Sequence, residues 1–153
     1  MSLLHIFRKR AFFTPDQQTG IVKAIQEAEK RTSGEVRVFI ESRCKYVNSL
    51  DRAAEIFYGL KMDKTADSNA VVVYLAVKDQ QLAVFADSGI HCKTGKDFWK
   101  ERVQLMLNHF NKENYAAGII QVIYEIGEAL YQHFPYSNNT DKNELPDDII
   151  FGK

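Results

Sequence analysis

Apolar and polar positions change period several times along the chain, and each change marks an element. From Thr14 the period is helical: Thr14 caps, Pro15 takes the first turn where its missing donor costs nothing, and Gln17 completes a capping box. Ile21, Ala24, Ile25 and Ala28 then share one face, and Gly34 supplies the stop. Residues 35–41 read as a strand. Val36, Val38 and Ile40 lie on one side, and Phe39 makes the other side partly apolar, which predicts a sheet covered on both faces. Helical spacing returns at Leu50, Ala53, Ala54, Phe57 and Leu60, with Asn48 or Ser49 as cap.

Val71 to Val77 is an unbroken apolar run, the pattern of a strand buried on both faces. Lys78 to Gln81 make a turn, and Leu82 to Phe85 return antiparallel. Thr94, with Asp97 three residues on, opens a helix whose inward stripe is Trp99, Val103, Met106, Leu107 and Phe110. A last helix runs from about Glu113 to Phe134, with Ile119, Ile120, Val122, Ile123, Ile126 and Leu130 as its apolar surface. Gly118 and Gly127 within it permit close approach to a neighbour. Beyond Pro135 the chain turns polar and is read as a tail, pinned to the body by Ile149, Ile150 and Phe151.

The order predicts an α/β fold: a three-layer α/β/α sandwich with a small mixed sheet, built from a parallel βαβ unit plus a β-hairpin and flanked by helices. Residues 1–12 form an N-terminal arm, 13–134 the α/β domain and 135–153 a polar C-terminal tail. A chain of 153 residues suits one domain, and a hydrophobic fraction of 45% with 10 Phe and 7 Tyr argues for a filled interior.

Charge narrows the partners. Twenty basic residues balance 20 acidic ones, so no global field gathers nucleic acid, and the one tight cationic cluster is Arg8, Lys9 and Arg10. No apolar run approaches the roughly 18 residues of a spanning helix. The start has apolar residues before cations, the reverse of an export signal. The expectation is therefore a cytoplasmic protein without a transmembrane segment. Leu3, Leu4, Ile6 and Phe7 beside Arg8 to Arg10 also allow a peripheral membrane contact. Cys44 and Cys92 have neither zinc spacing nor a partner histidine suitably placed, so two reduced thiols are expected.

Pairing Lys78 with Gln81 across the hairpin sets Val72 opposite Asp87 and Asn69 opposite Ile90. Asp67, Ser68, Asn69, Asp87, Ser88 and His91 would then gather at one end of the sheet, with Gly34 and Glu35 of the parallel first strand nearby. Two aspartates with an Asn and a Ser make an oxygen-rich set suited to Ca²⁺ or Mg²⁺. The same residue types also make ordinary bends: Asp67-Ser68-Asn69 leading into a strand, Asp87-Ser88-Gly89 ending one. Glu41 lies at the opposite end of its strand from Glu35, so those two carboxylates are no catalytic pair.

From Phe13 to Leu130 the chain resembles the TPM domain family, also called TPM phosphatase, in its short bacterial branch. The resemblance is carried by RTSGEVRVFIE, AAEIFYGLKMDKTADSNAVVVYLAV, ADSGIHCKTGKDFW and the Tyr115-Ala116-Ala117-Gly118 opening of the last helix. Ala70 and Ala86 stand where glycine is usual and Thr94 where valine is common; the extra methyl at Ala70 and Ala86 is expected to narrow backbone approach to a ligand. The resemblance implies an α/β/α sandwich and, in some members, a divalent metal near the sheet end and weak acid phosphatase activity. Two functions follow as expectations. One is a binding or assembly module that recognises a protein partner, membrane-associated or not, with Asp67 and Asp87 at a metal site and Asn69, Ser88 and Gly89 as ligand-binding residues. The alternative is a weak metal-assisted acid phosphatase acting on phosphomonoesters, with His91 as the candidate to protonate the leaving group.

Overall fold

The structure, a computed structural model, describes residues 12–110, 114–136 and 149–152. Its elements are α1 (Pro15–Lys30), β1 (Glu35–Glu41), α2 (Ser49–Gly59), a 3₁₀ turn (Met62–Lys64), β2 (Ala70–Ala76), β3 (Gln81–Ala86), α3 (Ser88–Thr94), α4 (Lys96–Phe110), α5 (Tyr115–His133) and β4 (Ile149–Phe151). The sheet order is β3-β2-β1-β4. β1 is parallel to both β2 and β4, and β2 and β3 form the antiparallel hairpin.

Both faces of the sheet are covered, as the strand patterns require. Val36, Val38, Ile40, Val71, Val73 and Leu75 join Ile21, Ile25, Ile123 and Ile126 in a core under α1, α4 and α5. Val72, Tyr74, Ala76 and Ala83 meet Ala53, Ile56, Phe57 and Met62 on the opposite face, under α2. Every β2 residue is buried. The protein is a three-layer α/β/α sandwich with a mixed sheet.

Helix starts follow local chemistry. Thr14 accepts from Gln17 N and donates its own backbone N–H to Gln17 Oε1, the reciprocal capping box, with Pro15 in the first turn. Ile21, Ala24, Ile25 and Ala28 are its buried face. A β-carbon built at Gly127 would lie 2.7 Å from Ala28 Cβ, so glycine there sets how closely α5 approaches α1. Gly118 plays the same part toward His109 of α4.

Four expectations are corrected. The hairpin register places Ala76 opposite Gln81, Val72 opposite Phe85 and Val71 opposite Ala86, two residues from the predicted pairing. A two-residue hairpin loop needs positive φ at its central positions, which Asp79-Gln80 supplies poorly without glycine. The chain instead turns over Val77–Gln80, with Gln80 alone at φ 50°. A shift of two preserves every side chain's face, so the core is unaffected.

Thr94 ends a helix instead of opening one. Asp87 caps α3, and the Thr94 hydroxyl donates back to the Ile90 carbonyl before Gly95, at φ 79°, separates α3 from α4. Leu50 does not join the inward face of α2, which is formed by Ala53, Ile56 and Phe57; it is 45% exposed. The end of the predicted tail is a fourth strand, with Val38 paired to Ile149 and Ile40 to Phe151. The arm proposed to touch membrane, and the start of the last helix at Glu113, lie outside the described residues.

Candidate functional site

The strand register decides where the acidic loops lie. Glu35 pairs with Ala70, and Ala86 pairs with Val71, so the beginnings of β1 and β2 and the end of β3 form one rim. Ser68, at φ 51°, turns the chain into β2. Asn69 is buried, its backbone N–H donating to Thr65 Oγ1 at 3.3 Å and its carbonyl accepting from Glu35 N at 3.4 Å. Its side-chain amide donates to Ser33 Oγ at 3.1 Å, and that hydroxyl lies 3.5 Å from Asp67 Oδ2. Ser33 was not singled out by sequence reasoning; its place one residue before Gly34, at the start of a parallel strand, is the signal that could have found it.

The second loop closes onto the first. Asp87 N donates to the Ala70 carbonyl at 2.9 Å, and Ile90 N donates to the Ser68 carbonyl at 3.2 Å. Gly89 packs directly on that backbone: a β-carbon there would lie 2.1 Å from the Asp67 carbonyl oxygen and 2.5 Å from that of Ser68. Asp67, Ser68, Asn69, Asp87, Ser88 and Gly89 are therefore neighbours at one end of the sheet.

Their environments differ. Asp67 and Ser88 are exposed, whereas Asp87 is 8% exposed. One Asp87 oxygen, Oδ1, accepts the Ser88 N–H at 2.7 Å and starts α3. The other, Oδ2, is buried with no hydrogen-bond partner among the described residues. Such an atom is costly to bury and marks a place where a partner is expected. Among the described residues no group of three or more His, Cys, Asp or Glu side chains is placed so that it could hold a metal ion by itself.

Glu35 lies at the same rim, as its strand's parallel pairing requires, and is buried near Arg37. Burial lowers the Arg37 pKa from its ordinary value, and the charges of Glu29 and Glu35 push against that shift. The remaining candidates lie elsewhere. His91 is exposed and lines a groove along β3 with Lys96 and Trp99. Ala70 and Ala86 place their side chains in the two cores, so the extra methyl groups relative to glycine serve packing rather than narrowing the rim. Cys44 and Cys92 are both free thiols.

At the opposite end, Glu41 accepts from Arg52 through two 2.9 Å contacts and from the Tyr74 hydroxyl. Burial raises the Glu41 carboxyl, but the hydrogen bonds from Arg52 and Tyr74 outweigh it and hold its pKa below the usual value. Tyr74 is pushed well above the ordinary phenol range by burial and by Glu41. This network ties α2 to β1 and β2.

The TPM domain matches residues 6–129 of the chain. This protein belongs to the TPM domain family. The NMR structure of the BA42 protein from the psychrophilic bacterium Bizionia argentinensis is similar at 37% identity and a TM-score of 0.83, covering 92% of this chain and 96% of that one. The N-terminal domain of the cg2496 protein from Corynebacterium glutamicum is 12% identical with a TM-score of 0.61, covering 77% of this chain and 74% of that domain; this is a likeness of fold. No curated protein is matched. Among the described residues of this TPM domain protein, no helix is long and apolar enough to cross a membrane.

Proposed function

We propose that this TPM domain protein is a non-catalytic binding module whose Asp67/Asp87 rim takes a hard divalent cation and presents it to a protein partner. The observation that carries the reading is the buried Asp87 Oδ2 without a hydrogen-bond partner among the described residues, set where the two acidic loops touch. Asp87 is the anchoring ligand, Asp67 the exposed one, and Ser33, Asn69 and Ser88 supply neighbouring polar groups. Calcium or magnesium bound there would neutralise two carboxylates and lock the loops together.

The competing reading is weak metal-assisted hydrolysis of phosphomonoesters. It needs a group to protonate the leaving oxygen, and His91, the residue considered for that role, faces the β3 groove with Lys96 and Trp99.

The test is a ¹⁵N NMR titration of the full chain with Ca²⁺ and with Mg²⁺, beside a p-nitrophenyl phosphate assay with each metal. Saturable shifts at Asp67–Asn69 and Asp87–Gly89, absent in Asp87→Asn, with no turnover are expected. An unchanged spectrum removes the cation site. Metal-dependent turnover lost in Asp87→Ala replaces the binding reading with the hydrolytic one.

A further inference from the structure

A second surface, independent of the rim, lies along β3. That strand is at the edge of the sheet, and its register fixes which backbone groups face outward. Asp87 N bonds to the Ala70 carbonyl, so by antiparallel alternation residues 81, 83 and 85 also turn toward β2. Leu82, Val84 and Ala86, though largely buried, turn their backbone groups away from β2 and line a cavity. The Ser49 hydroxyl donates to the outward Leu82 carbonyl at 3.0 Å, which agrees with that assignment. Among the described residues, no other hydrogen bond reaches the outward groups of Leu82, Val84 and Ala86.

Edge strands are ordinarily blunted by a charge, a proline or a bulge. β3, QLAVFA, contains no charged residue and no proline, and it pairs with β2 without interruption. It instead forms the floor of a cavity of about 500 Å³ between the start of α2 and the first turns of α4. Leu50 supplies one apolar wall, and Trp99 and Val103 the other. Leu50 is the residue whose exposure departs from the helical pattern. Trp99 leaves its indole N–H without an acceptor among the described residues.

Among the described residues, the ionisable side chains lining this cavity are His91, Lys96 and Lys100, and no carboxylate lines it. Neither lysine has an ion-pair partner among the described residues. We propose that the β3 edge is a docking groove for an extended acidic peptide segment of a partner protein, added as a further strand of the sheet. Backbone pairing at Val84 and Ala86 supplies the attachment, the walls take alternate side chains, and the lysines select carboxylates. From Leu82 to Ala86 the edge is roughly 13 Å long at the usual rise per residue, enough for four or five peptide residues. A second copy pairing through its own β3 would bring an uncharged strand and set its lysines near these, so charge favours the acidic segment.

The experiment is a ¹⁵N titration of the full chain with a capped heptapeptide that alternates valine or threonine with glutamate or aspartate. A control peptide carries lysine at every acidic position. Saturable shifts of the Leu82, Val84 and Ala86 amides with the acidic peptide are expected, and no saturation with the basic one. The double variant Lys96→Glu/Lys100→Glu, changed only at exposed positions, should weaken the acidic peptide about tenfold. Val84→Pro removes one outward donor while sparing the inward ladder, and should abolish binding provided its spectrum stays folded. Equal binding of the two peptides, shifts away from β3, or no shift at millimolar peptide would overturn the proposal. So would a concentration-dependent dimer by sedimentation with shifts at β3 in the absence of peptide, which assigns the edge to a second copy.

Discussion

Gly89 lies against the Asp67 carbonyl so tightly that a β-carbon at 89 would stand 2.1 Å from that oxygen. The contact joins the loop before β2 to the first turn of α3, and the neighbour is backbone that cannot swing aside. Gly89→Ala should therefore cost about 2 kcal/mol or more by urea unfolding. Its amide shifts relative to wild type should concentrate at Asp67, Ser68 and Ile90. A variant as stable as wild type would show that the two loops do not touch as described.

Glu41 and Arg52 make stability depend on acid. The Glu41 carboxyl is held below its ordinary pKa because hydrogen bonds from Arg52 and Tyr74 exceed the cost of its burial. A group depressed by folding stabilises above its unfolded pKa, and that contribution disappears as pH falls through the depressed folded value. Wild type should lose stability more steeply than Glu41→Gln as the pH drops through and below the usual carboxylate range. Arg52→Met removes the partner of a buried carboxylate, and should cost about 3 kcal/mol at neutral pH. Its Glu41-linked acid loss should shrink or reverse, because burial then raises the carboxyl in the folded state and protonation relieves the buried charge. Parallel pH–stability curves for wild type and Glu41→Gln would contradict this account.

Two helical glycines should respond in opposite directions. At Gly127 a methyl would meet Ala28 Cβ at 2.7 Å, so Gly127→Ala should destabilise by about 1–3 kcal/mol through forced separation of α5 from α1. At Gly59, the last residue of α2, nothing lies within 4 Å. Gly59→Ala should be neutral to stabilising, by up to about 1 kcal/mol, because alanine loses less chain entropy. Thermal melts of the two variants check both signs.

Asp87→Asn separates the capping role of this side chain from its charge. Asparagine caps a helix as well as aspartate does. Without divalent cation, the variant should therefore be as stable as wild type or more so, having lost a buried charge whose Oδ2 lacks a partner among the described residues. Added Ca²⁺ or Mg²⁺ should raise the melting temperature of wild type and leave the variant's unchanged. Equal shifts in both proteins would place the cation elsewhere.

Most of the layered architecture was legible because it rests on local rules. The capping box at Thr14, the period of Ile21 to Ala28 and the unbroken run at β2 each constrain their own segment, and burial follows. The meeting of the Asp67 and Asp87 loops was also legible, since it needs only parallel β1–β2 and a hairpin. The register of that hairpin was not: without a glycine in the turn, the loop length depended on Gln80 accepting positive φ. α3 escaped because Ile90 is its sole buried residue and seven residues show no period.

The sequence by itself determined which faces are apolar, where helices begin, and that a parallel pair precedes a hairpin; neighbouring residues suffice for each. Tertiary packing alone decided that residues 149–151 become a strand beside β1, because three apolar residues carry no periodic signal. It also decided that Asp87 Oδ2 is buried without a hydrogen-bond donor among the described residues, and that Leu50, Trp99 and two lysines flank the β3 edge. These depend on contacts between segments far apart in the chain, where the geometry of approach, and not the identity of any residue, sets what each group can touch.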